Sequence, residues 1–372
     1  MQDKESIMND KRRRYRTIKV GLKKLYPVEP TGNLARQLNT LAYVISGIVG
    51  SKRVSLPAIA EQTPDGTKNE SRVKKFARWI ANEHIEAEVH FLPFAEALVS
   101  NLALHTLVLV MDGSEVGRQC LTLMLGAVYK KRALPIAWIV VKGSKGHFSE
   151  ETHVKLAEQA HRLVPGGSDV IFLGDGEFDG TTLQAAIGDY GWKYVCRTAK
   201  NTQLCEEGDW FSFDELWAQP GDCFGLFDVL FTQRAYGPVL AIVWWKKGCE
   251  EPIYLVTNLE LVQEACRWYE RRFRIETFFS DQKSRGFHLH KSHVSNPERL
   301  ARLMIAACLA YIWIISLGVI TKRDDWVKII HRADRCDLSL FRLGLSLLEH
   351  LLDEQMPIPM SFQILGLTKS VR

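Results

Sequence analysis

The spacing of hydrophobic and polar positions changes near residue 105 and divides the chain into two regions of different expected structure. Before it, apolar residues recur every three or four positions within four short segments, 34–50, 55–62, 71–83 and 86–101. This spacing predicts amphipathic helices, and the prolines and glycines between the segments predict their ends. From residue 107 the apolar residues form runs of strand length instead. A helical region is therefore expected before an α/β region.

The α/β region begins with three apolar runs in succession, at 107–111, 121–129 and 135–141. Such a succession predicts an antiparallel meander. Helices and strands then alternate: a helix at 150–163, a strand at 170–174, a helix at 181–189 and a strand at 192–198. Three strands followed by this alternation is the order of a ribonuclease H-like core, a mixed sheet flanked by helices.

Glycines and prolines then separate short apolar segments, which predicts a β-rich insertion before helices return at 259–284, 297–320 and 338–352. We therefore expect an α/β fold in five parts. They are an N-terminal helical DNA-binding domain (1–100), the first part of the core (101–200), the insertion (201–258), the second part of the core (259–322) and a C-terminal helical tail (323–372).

Charge is distributed unevenly along the chain. Residues 1–100 hold 17 Lys and Arg against 11 Asp and Glu, whereas the whole 372-residue chain has a formal net charge of +5. A basic end favours contact with a polyanion. Lys74, Lys75 and Arg78 gather on the helix predicted over 71–83, as candidate DNA contacts or as a solvated face. The basic cluster at 11–24 predicts a solvated arm, a nuclear-localisation-like patch or a nucleic-acid contact.

Two further features bear on the compartment. The eight cysteines form no Cys-x-x-Cys pair and the chain starts without the apolar core of a signal peptide, so a reduced, cytosolic protein is expected. Residues 303–320 are apolar enough to cross a bilayer. A helix buried against the sheet explains them better, because they follow a motif that needs a soluble active site.

Two aspartates follow apolar runs in the expected core. Asp112 comes directly after LVLVM and Asp175 directly after VIFLG, and a glycine follows each. Each alone is explained by an Asp-Gly turn. Two of them on neighbouring strands favour a site for a hard cation such as Mg²⁺, which prefers carboxylate oxygens. Glu115, Glu177 and Asp179 flank these residues and are the rival ligands.

The segment 269–283, YERRFRIETFFSDQK, combines several polar groups on one predicted helix. A helical period places Tyr269, Arg272, Glu276 and Lys283 within about 60° of one another around the axis. Arg267, Arg271 and Arg274 fall on the far side as a basic stripe, from which Arg267 and Arg271 are candidate DNA contacts. An exposed helix with an Arg272–Glu276 ion pair is the simpler explanation, but it leaves the clustering of Tyr269 and Lys283 unexplained.

The spacing Tyr-x2-Arg-x3-Glu-x6-Lys resembles the third signature block of DDE transposases of insertion sequences, in the large family numbered four. MDGSEVG and LGDGEFDG resemble that family's first and second aspartate blocks. The resemblance implies that Asp112, Asp175 and Glu276 form an acidic triad for two Mg²⁺ or Mn²⁺ ions. It further implies that Arg272 and Lys283 position the terminal phosphate and that Tyr269 contacts the end nucleotides.

By the same resemblance the protein cuts the terminal inverted repeats of a mobile element and joins them to target double-stranded DNA. Two subunits would assemble on paired ends, in the cytoplasm of a bacterium at its nucleoid. Some related enzymes hold a flipped base against an aromatic ring, and Trp244 and Trp245 are the candidates for that ring. Ordinary packing at a strand end explains them equally.

Several alternatives stay open at this stage. A ribonuclease H-like nuclease or resolvase would share the triad without strand transfer, and a DNA-binding repressor would use the acids only as structural turns. His288, His290 and His293 are spaced like metal ligands, but no partner Cys or His lies at matching spacing, so phosphate contacts or surface positions are favoured.

Overall fold

The structure of the protein, a computed structural model, describes residues 2–143, 148–332 and 336–364, and the side chains from residue 5 onward. Helices precede the sheet: α1 (Gln2–Lys23), α2 (Gly32–Ser51), α3 (Leu56–Glu61), α4 (Asn69–Ala81), α5 (Ala87–His90) and α6 (Leu92–Leu102). The segment predicted as one helix over 86–101 is thus two. Pro93, in the first turn of α6, has no N–H to continue the hydrogen-bond ladder of α5.

The basic run at 11–24 lies largely on α1 and is not a solvated arm. Arg14 is buried, and its Nε donates to the Ser46 carbonyl oxygen at 3.0 Å and to the Ser46 hydroxyl at 3.2 Å. Arg13 donates to the Leu352 carbonyl oxygen at 3.1 Å, far along the chain. These two cations are therefore used inside the molecule, while Arg12 and Arg16 on the same helix remain exposed.

Within the described ranges, ten strands form one mixed sheet. They are β1 (Leu107–Glu115), β2 (Cys120–Tyr129), β3 (Arg132–Lys142), β4 (Val170–Gly174), β5 (Lys193–Thr198), β6 (Gln203–Glu206), β7 (Asp209–Ser212), β8 (Cys223–Phe231), β9 (Tyr236–Trp244) and β10 (Ile253–Thr257). The order is β3-β2-β1-β4-β5-β10-β9-β8-β6-β7. β1, β2 and β3 form the expected antiparallel meander, and β4 and β5 run parallel to β1. The predicted mixed α/β architecture is confirmed.

The segment predicted as β-rich insertion does contain strands, and these continue the core sheet. β10 pairs antiparallel with β5, Tyr254 opposite Thr198, and β9 then pairs with β10. The sheet therefore extends without interruption from the core strands into β6–β10.

The remaining helices flank the sheet: α7 (Glu150–Leu163), α8 (Thr181–Asp189), α9 (Val262–Tyr269), α10 (Arg274–Gln282), α11 (Pro297–Arg323), α12 (Val327–Ile330) and α13 (Leu340–Asp353). α11 is long and apolar enough to span a membrane, but its most apolar 18-residue window is entirely buried inside the protein. It packs against α2, α13 and β3, so it is a core helix, as expected from the sequence.

The single helix predicted over 259–284 is wrong. α9 ends at Tyr269 and α10 begins at Arg274, with a tight turn between them. In this turn the N–H groups of Arg271, Arg272 and Arg274 donate to carbonyl oxygens three residues back, where an α-helix would use the fourth. Lys283 also falls just beyond the end of α10. The calculated stripe of side chains therefore does not exist as one helical face.

Candidate active site

The register of two parallel strands brings Asp112 and Asp175 together. Leu107 pairs with Val170 and Val110 with Leu173, and continuing this register by two residues sets Asp112 beside Asp175. Asp112 lies within β1, which runs on to Glu115, so the Asp-Gly turn expected there is absent. Asp175 follows β4 in a turn, where its Oδ1 accepts from the Glu177 N–H at 3.0 Å.

Glu276 reaches the same place from the first turn of α10. This helix is fixed against the sheet by a buried ion pair in which Arg132 of β3 donates to the Asp281 carboxylate at 2.5 Å. Ile275 and Phe279 of α10 are buried, while the Glu276 side chain remains 57% exposed. Asp281 did not stand out in the sequence, because a lone acid near the end of a helix has no distinctive spacing.

One guanidinium group lies where the three acids converge. Arg272 Nη1 is 3.9 Å from Asp112 Oδ2 and 3.6 Å from Asp175 Oδ2, and Nη2 is 3.1 Å from Glu276 Oε1. The turn between α9 and α10 places it there, with the guanidinium also 4.2 Å from the Phe273 ring centroid. Its Nε is buried without a hydrogen-bond partner. Arg272 is thus the shared counterion of all three carboxylates.

The electrostatics of the cluster indicate an excess of negative charge. The pKa of Asp112 is raised to about 7, chiefly by burial and also by the nearby Asp175 carboxylate, and the Arg272 guanidinium opposes this rise. Three carboxylates are hard oxygen donors, the ligand type that Mg²⁺ and Mn²⁺ prefer. The chemistry of the donor set therefore fits a divalent cation.

The three acids, however, are arranged around Arg272. Among the described residues, no three His, Cys, Asp or Glu side chains lie close enough together to hold one ion as they stand. This applies also to His288, His290 and His293, so the histidine spacing noted in the sequence does not form a metal site in this part of the chain. Binding of an ion between the acids would require the guanidinium to give up contacts to them.

Lys283 is close to the acids although it lies outside the helix. Its Nζ donates to the Ser114 hydroxyl at 2.6 Å, two residues beyond Asp112 on β1. Burial lowers the pKa of Lys283, while Glu115 and Asp112 oppose that effect. A cation thus stands at the rim of the acidic cluster.

Tyr269, Arg267 and Arg271 lie in different surroundings. The Tyr269 ring is buried, and burial raises the pKa of its hydroxyl to about 12. Arg267 and Arg271 are exposed, and the Arg271 guanidinium lies 4.2 Å from the Trp268 ring centroid. The two arginines are accessible as they stand, whereas Tyr269 is not.

The rival acids are engaged elsewhere or lie at the edge of the cluster. Asp179 accepts from the Thr198 hydroxyl at 2.6 Å, and burial raises the pKa of its carboxyl. Glu177 accepts from the Phe148 N–H at 2.7 Å and lies 3.4 Å from His153 Nε2. Glu115 is exposed at the end of β1. Among the described residues, neither Asp179 nor Glu115 forms an ion pair with the Arg272 guanidinium.

Of the two tryptophans, Trp245 lies at a cavity of about 530 Å³. Trp217, 79% exposed, and Arg197 line the same cavity. Trp244 is half-buried, with Lys246 Nζ 4.0 Å from its ring centroid. Sequence reasoning missed Trp217, although a tryptophan in a polar segment just before Pro220 and Gly221 was an available signal.

On the N-terminal helices, the three candidate DNA contacts of α4 differ in accessibility. Lys74 and Arg78 are exposed one turn apart. Lys75 is half-buried with its Nζ 4.4 Å from the Tyr43 ring centroid, and burial lowers its pKa. The exposed pair is free to meet a polyanion, whereas Lys75 also has a packing role.

Comparison with known proteins gives a match to a family model and a likeness to a solved structure. The family model described as a transposase DDE domain matches residues 108–313, more than half of the chain, including Asp112, Asp175 and Glu276. Among curated proteins no sequence matches. A cryo-EM structure of the piggyBac transposase synaptic complex with hairpin DNA is similar over 94% of this chain and 80% of that chain, with 11% identity and a TM-score of 0.45.

Proposed function

The chain belongs to the transposase DDE domain family, and on that premise we propose that it cuts the terminal inverted repeats of an insertion sequence and joins them to target DNA. The observation that carries this proposal is the convergence of Asp112, Asp175 and Glu276 on one guanidinium. Their three carboxylates come from β1, the end of β4 and α10, so the fold itself assembles them.

In this proposal the three carboxylates hold two Mg²⁺ or Mn²⁺ ions. When bound, such ions supply Lewis-acid chemistry, activating a water or a 3′-hydroxyl and stabilising the leaving oxygen. Arg272 and Lys283 bind the phosphate beside the scissile bond, because both cations already stand at the acids and donate several hydrogen bonds. Tyr269 contacts the end nucleotides after its ring becomes accessible.

The test is cleavage of a labelled duplex carrying the element's own ends, with Mg²⁺ or Mn²⁺ and with EDTA. Asp112→Asn, Asp175→Asn and Glu276→Gln should each abolish cutting while leaving binding to the ends intact. Asp179→Asn is the matched control, because its carboxylate is bound to Thr198 rather than to Arg272. Binding without cutting under every metal condition would favour a repressor, and loss of cutting in Asp179→Asn alone would reassign the second acid.

Strand transfer is tested separately. A pre-cleaved end is supplied with a target plasmid and the joined product is measured on a gel. Joining is the expected result for a transposase, whereas cutting without joining would indicate a nuclease or resolvase.

The remaining proposals concern the whole complex. We assign β1–β5 to a ribonuclease H-like core and the chain to the insertion-sequence family numbered four, on its Tyr-Arg-Glu-Lys spacing. The N-terminal helices bind the inverted repeats, with Lys74, Lys75 and Arg78 among the contacts and Arg267 and Arg271 nearer the cleaved end. Two subunits act on paired ends, at the nucleoid in a bacterial cytoplasm.

The tryptophans are proposed as a stacking surface for an extruded base. Trp245 is the better candidate of the two, because it lines the cavity that also contains exposed Trp217. Replacing Trp245 by Ala should reduce the stacking of a 2-aminopurine probe near the cleaved end, measured by the fluorescence of the probe. Replacing half-buried Trp244 is the comparison expected to alter stability more than the probe signal.

A further inference from the structure

A small cavity away from the acids is lined almost entirely by basic side chains. Its volume is about 210 Å³, and Arg53, Ser55, His288, Lys291 and His293 line it. No carboxylate is among these residues. The cavity has room for a few water molecules or for one phosphate group.

Two distant parts of the chain build this cavity. Arg53 lies between α2 and α3, and the next residue, Val54, donates its N–H to the Phe287 carbonyl oxygen at 3.0 Å. On the other side, His288 and His293 both adopt left-handed backbone conformations, with φ of 56° and 61°. Such conformations are uncommon for residues with a Cβ and fix where these side chains stand. The cavity is therefore a built feature of the junction.

The two cations of the cavity, Arg53 and Lys291, have no counterion among the residues that the structure describes. Within the described part of the chain, the side chains of Arg53, His288, Lys291 and His293 form no ion pair or hydrogen bond. The His288 Nδ1 is buried without a partner. Burial lowers the pKa of His288, and the positive charges of Lys291 and Arg53 lower it further. The positive charges of Arg53 and Lys291 thus lie together where no carboxylate of the described residues pairs with them.

Two lysines outside the cavity do have counterions. Lys52, adjacent to Arg53, donates to the Glu349 carboxylate at 2.7 Å. Lys328 lies 3.6 Å from the Asp325 carboxylate. These two lysines therefore offer paired positions of equal charge for comparison with Arg53 and Lys291.

The cavity is connected to the candidate active site through one short segment. The His288 N–H donates to the carbonyl oxygen of Lys283 at 3.0 Å, and the Lys283 ammonium donates to Ser114 beside the acids. The segment 283–288 thus links the acids to the cavity.

We propose that this cavity binds a phosphate group of the DNA strand that flanks the cleaved end. Arg53 and Lys291 neutralise the phosphate, and the Ser55 hydroxyl and the histidine rings donate to its oxygens. The inference rests on the proposed function, because it assumes that DNA occupies the acidic site. It adds a contact that ties the N-terminal helices to the core on the same strand.

The test is the salt dependence of binding to a fluorescent duplex carrying the element's own end, measured by anisotropy. Each phosphate that is no longer neutralised should flatten the plot of log K against log salt by about 1. Because both cations meet the same phosphate, Arg53→Gln with Lys291→Gln should flatten it by about 1 and weaken binding at low salt on the order of tenfold. Lys52→Gln with Lys328→Gln removes the same charge from paired positions and should change the slope little.

A methylphosphonate scan of the same duplex locates the contact. One neutralised phosphate should weaken binding by the wild type but not by the Arg53, Lys291 double variant. An unchanged slope in that variant, or an equal loss in the control variant, would overturn the cavity proposal while cutting by the wild type still supported the function. Failure of the wild type to bind or cut ends would instead reject the function. If thermal unfolding shows the double variant to be unstable, Lys291→Gln and His293→Gln are measured singly.

Discussion

Arg272 serves as a counterion that three carboxylates share in the protein without DNA. Its guanidinium is mostly buried, whereas the Glu276 side chain is more than half exposed. The free-energy cost of removing Arg272 should therefore lie between that of breaking a surface ion pair and that of breaking a buried one. We expect Arg272→Ala to lower the free energy of unfolding by on the order of 2 kcal/mol in EDTA. Magnesium should restore part of the lost free energy of unfolding, because an ion can then neutralise the acids.

This prediction is measured by thermal unfolding with EDTA and with magnesium. The magnesium-induced rise in Tm should be larger for Arg272→Ala than for the wild type. Arg271→Ala is the control, because Arg271 lies against Trp268 and not against the acids. Equal rises in all three proteins would contradict the role of Arg272 as a shared counterion.

Asp112 makes stability depend on pH in a direction opposite to that of an ordinary ion-paired acid. Its pKa rises from a usual 3.8 to about 7 on folding. The stability that its protonated form contributes is present below about pH 4 and is lost as the pH rises to about 7. Asp112→Asn should therefore be more stable than the metal-free wild type at pH 8, by at most about 4 kcal/mol.

The measurement is urea unfolding of both proteins in EDTA at pH 8 and pH 5. The advantage of Asp112→Asn should shrink at the lower pH. A constant difference between the two proteins would show that Asp112 does not titrate in this range.

For single residues, the sequence predicts which acids come together but does not predict that Arg272 lies between them. Asp112 and Asp175 follow apolar runs of strand length, and their nearness follows from the order of the strands. The central place of Arg272 depends on a turn whose hydrogen bonds are set by tertiary packing. No residue spacing signals such a turn, so the arginine was expected only beside Glu276.

Among the elements, α11 and α13 approach each other too closely for side chains at two glycines. A Cβ at Gly318 would lie 1.9 Å from the Leu340 carbonyl oxygen, and one at Gly344 would lie 1.9 Å from that of Ile314. Gly318→Ala should therefore force the helices apart and cost about 1–3 kcal/mol. Urea unfolding measures this cost.

Gly188 in α8 provides the matched control. No atom lies within 4 Å of a Cβ built there, so Gly188→Ala should be neutral or stabilise by up to about 1 kcal/mol through its helix propensity. A loss at Gly188 equal to that at Gly318 would refute the close-approach explanation.

Element type was predictable where the pattern was strong, as in α7, β4 and α8, whose bounds agree with the expected segments. The prediction failed over 259–284 because apolar spacing continues through the turn between α9 and α10. It also missed α1, since a highly basic run has too few apolar residues to show a helical stripe.

In the whole molecule, α1 joins the N-terminal helices to the end of α13. Arg14 donates to Ser46 of α2, and Arg13 donates to the Leu352 carbonyl oxygen. Hydrogen bonds from charged donors contribute about 1.5–3 kcal/mol each. The double variant Arg13→Ala, Arg14→Ala should therefore destabilise the protein by about 3 kcal/mol and increase amide hydrogen exchange near residues 351–356.

Arg12→Ala with Arg16→Ala is the comparison on the same helix. Both side chains are exposed, so stability and hydrogen exchange should change little. If the two double variants behave alike, α1 contributes charge rather than a structural link between the ends of the chain.

The pairing of β10 with β5 has a consequence for how this protein can be altered. Because Thr198 and Tyr254 are partners in adjacent antiparallel strands, everything between them is topologically one long hairpin connection. Segments whose two ends meet are readily gained, lost or exchanged, since the host backbone need not move. Residues 199–252 are thus a segment that can be exchanged as a unit. Relatives with a shorter or different segment here could keep strands β1–β5 and β10, and a grafted tight turn could replace it in the laboratory.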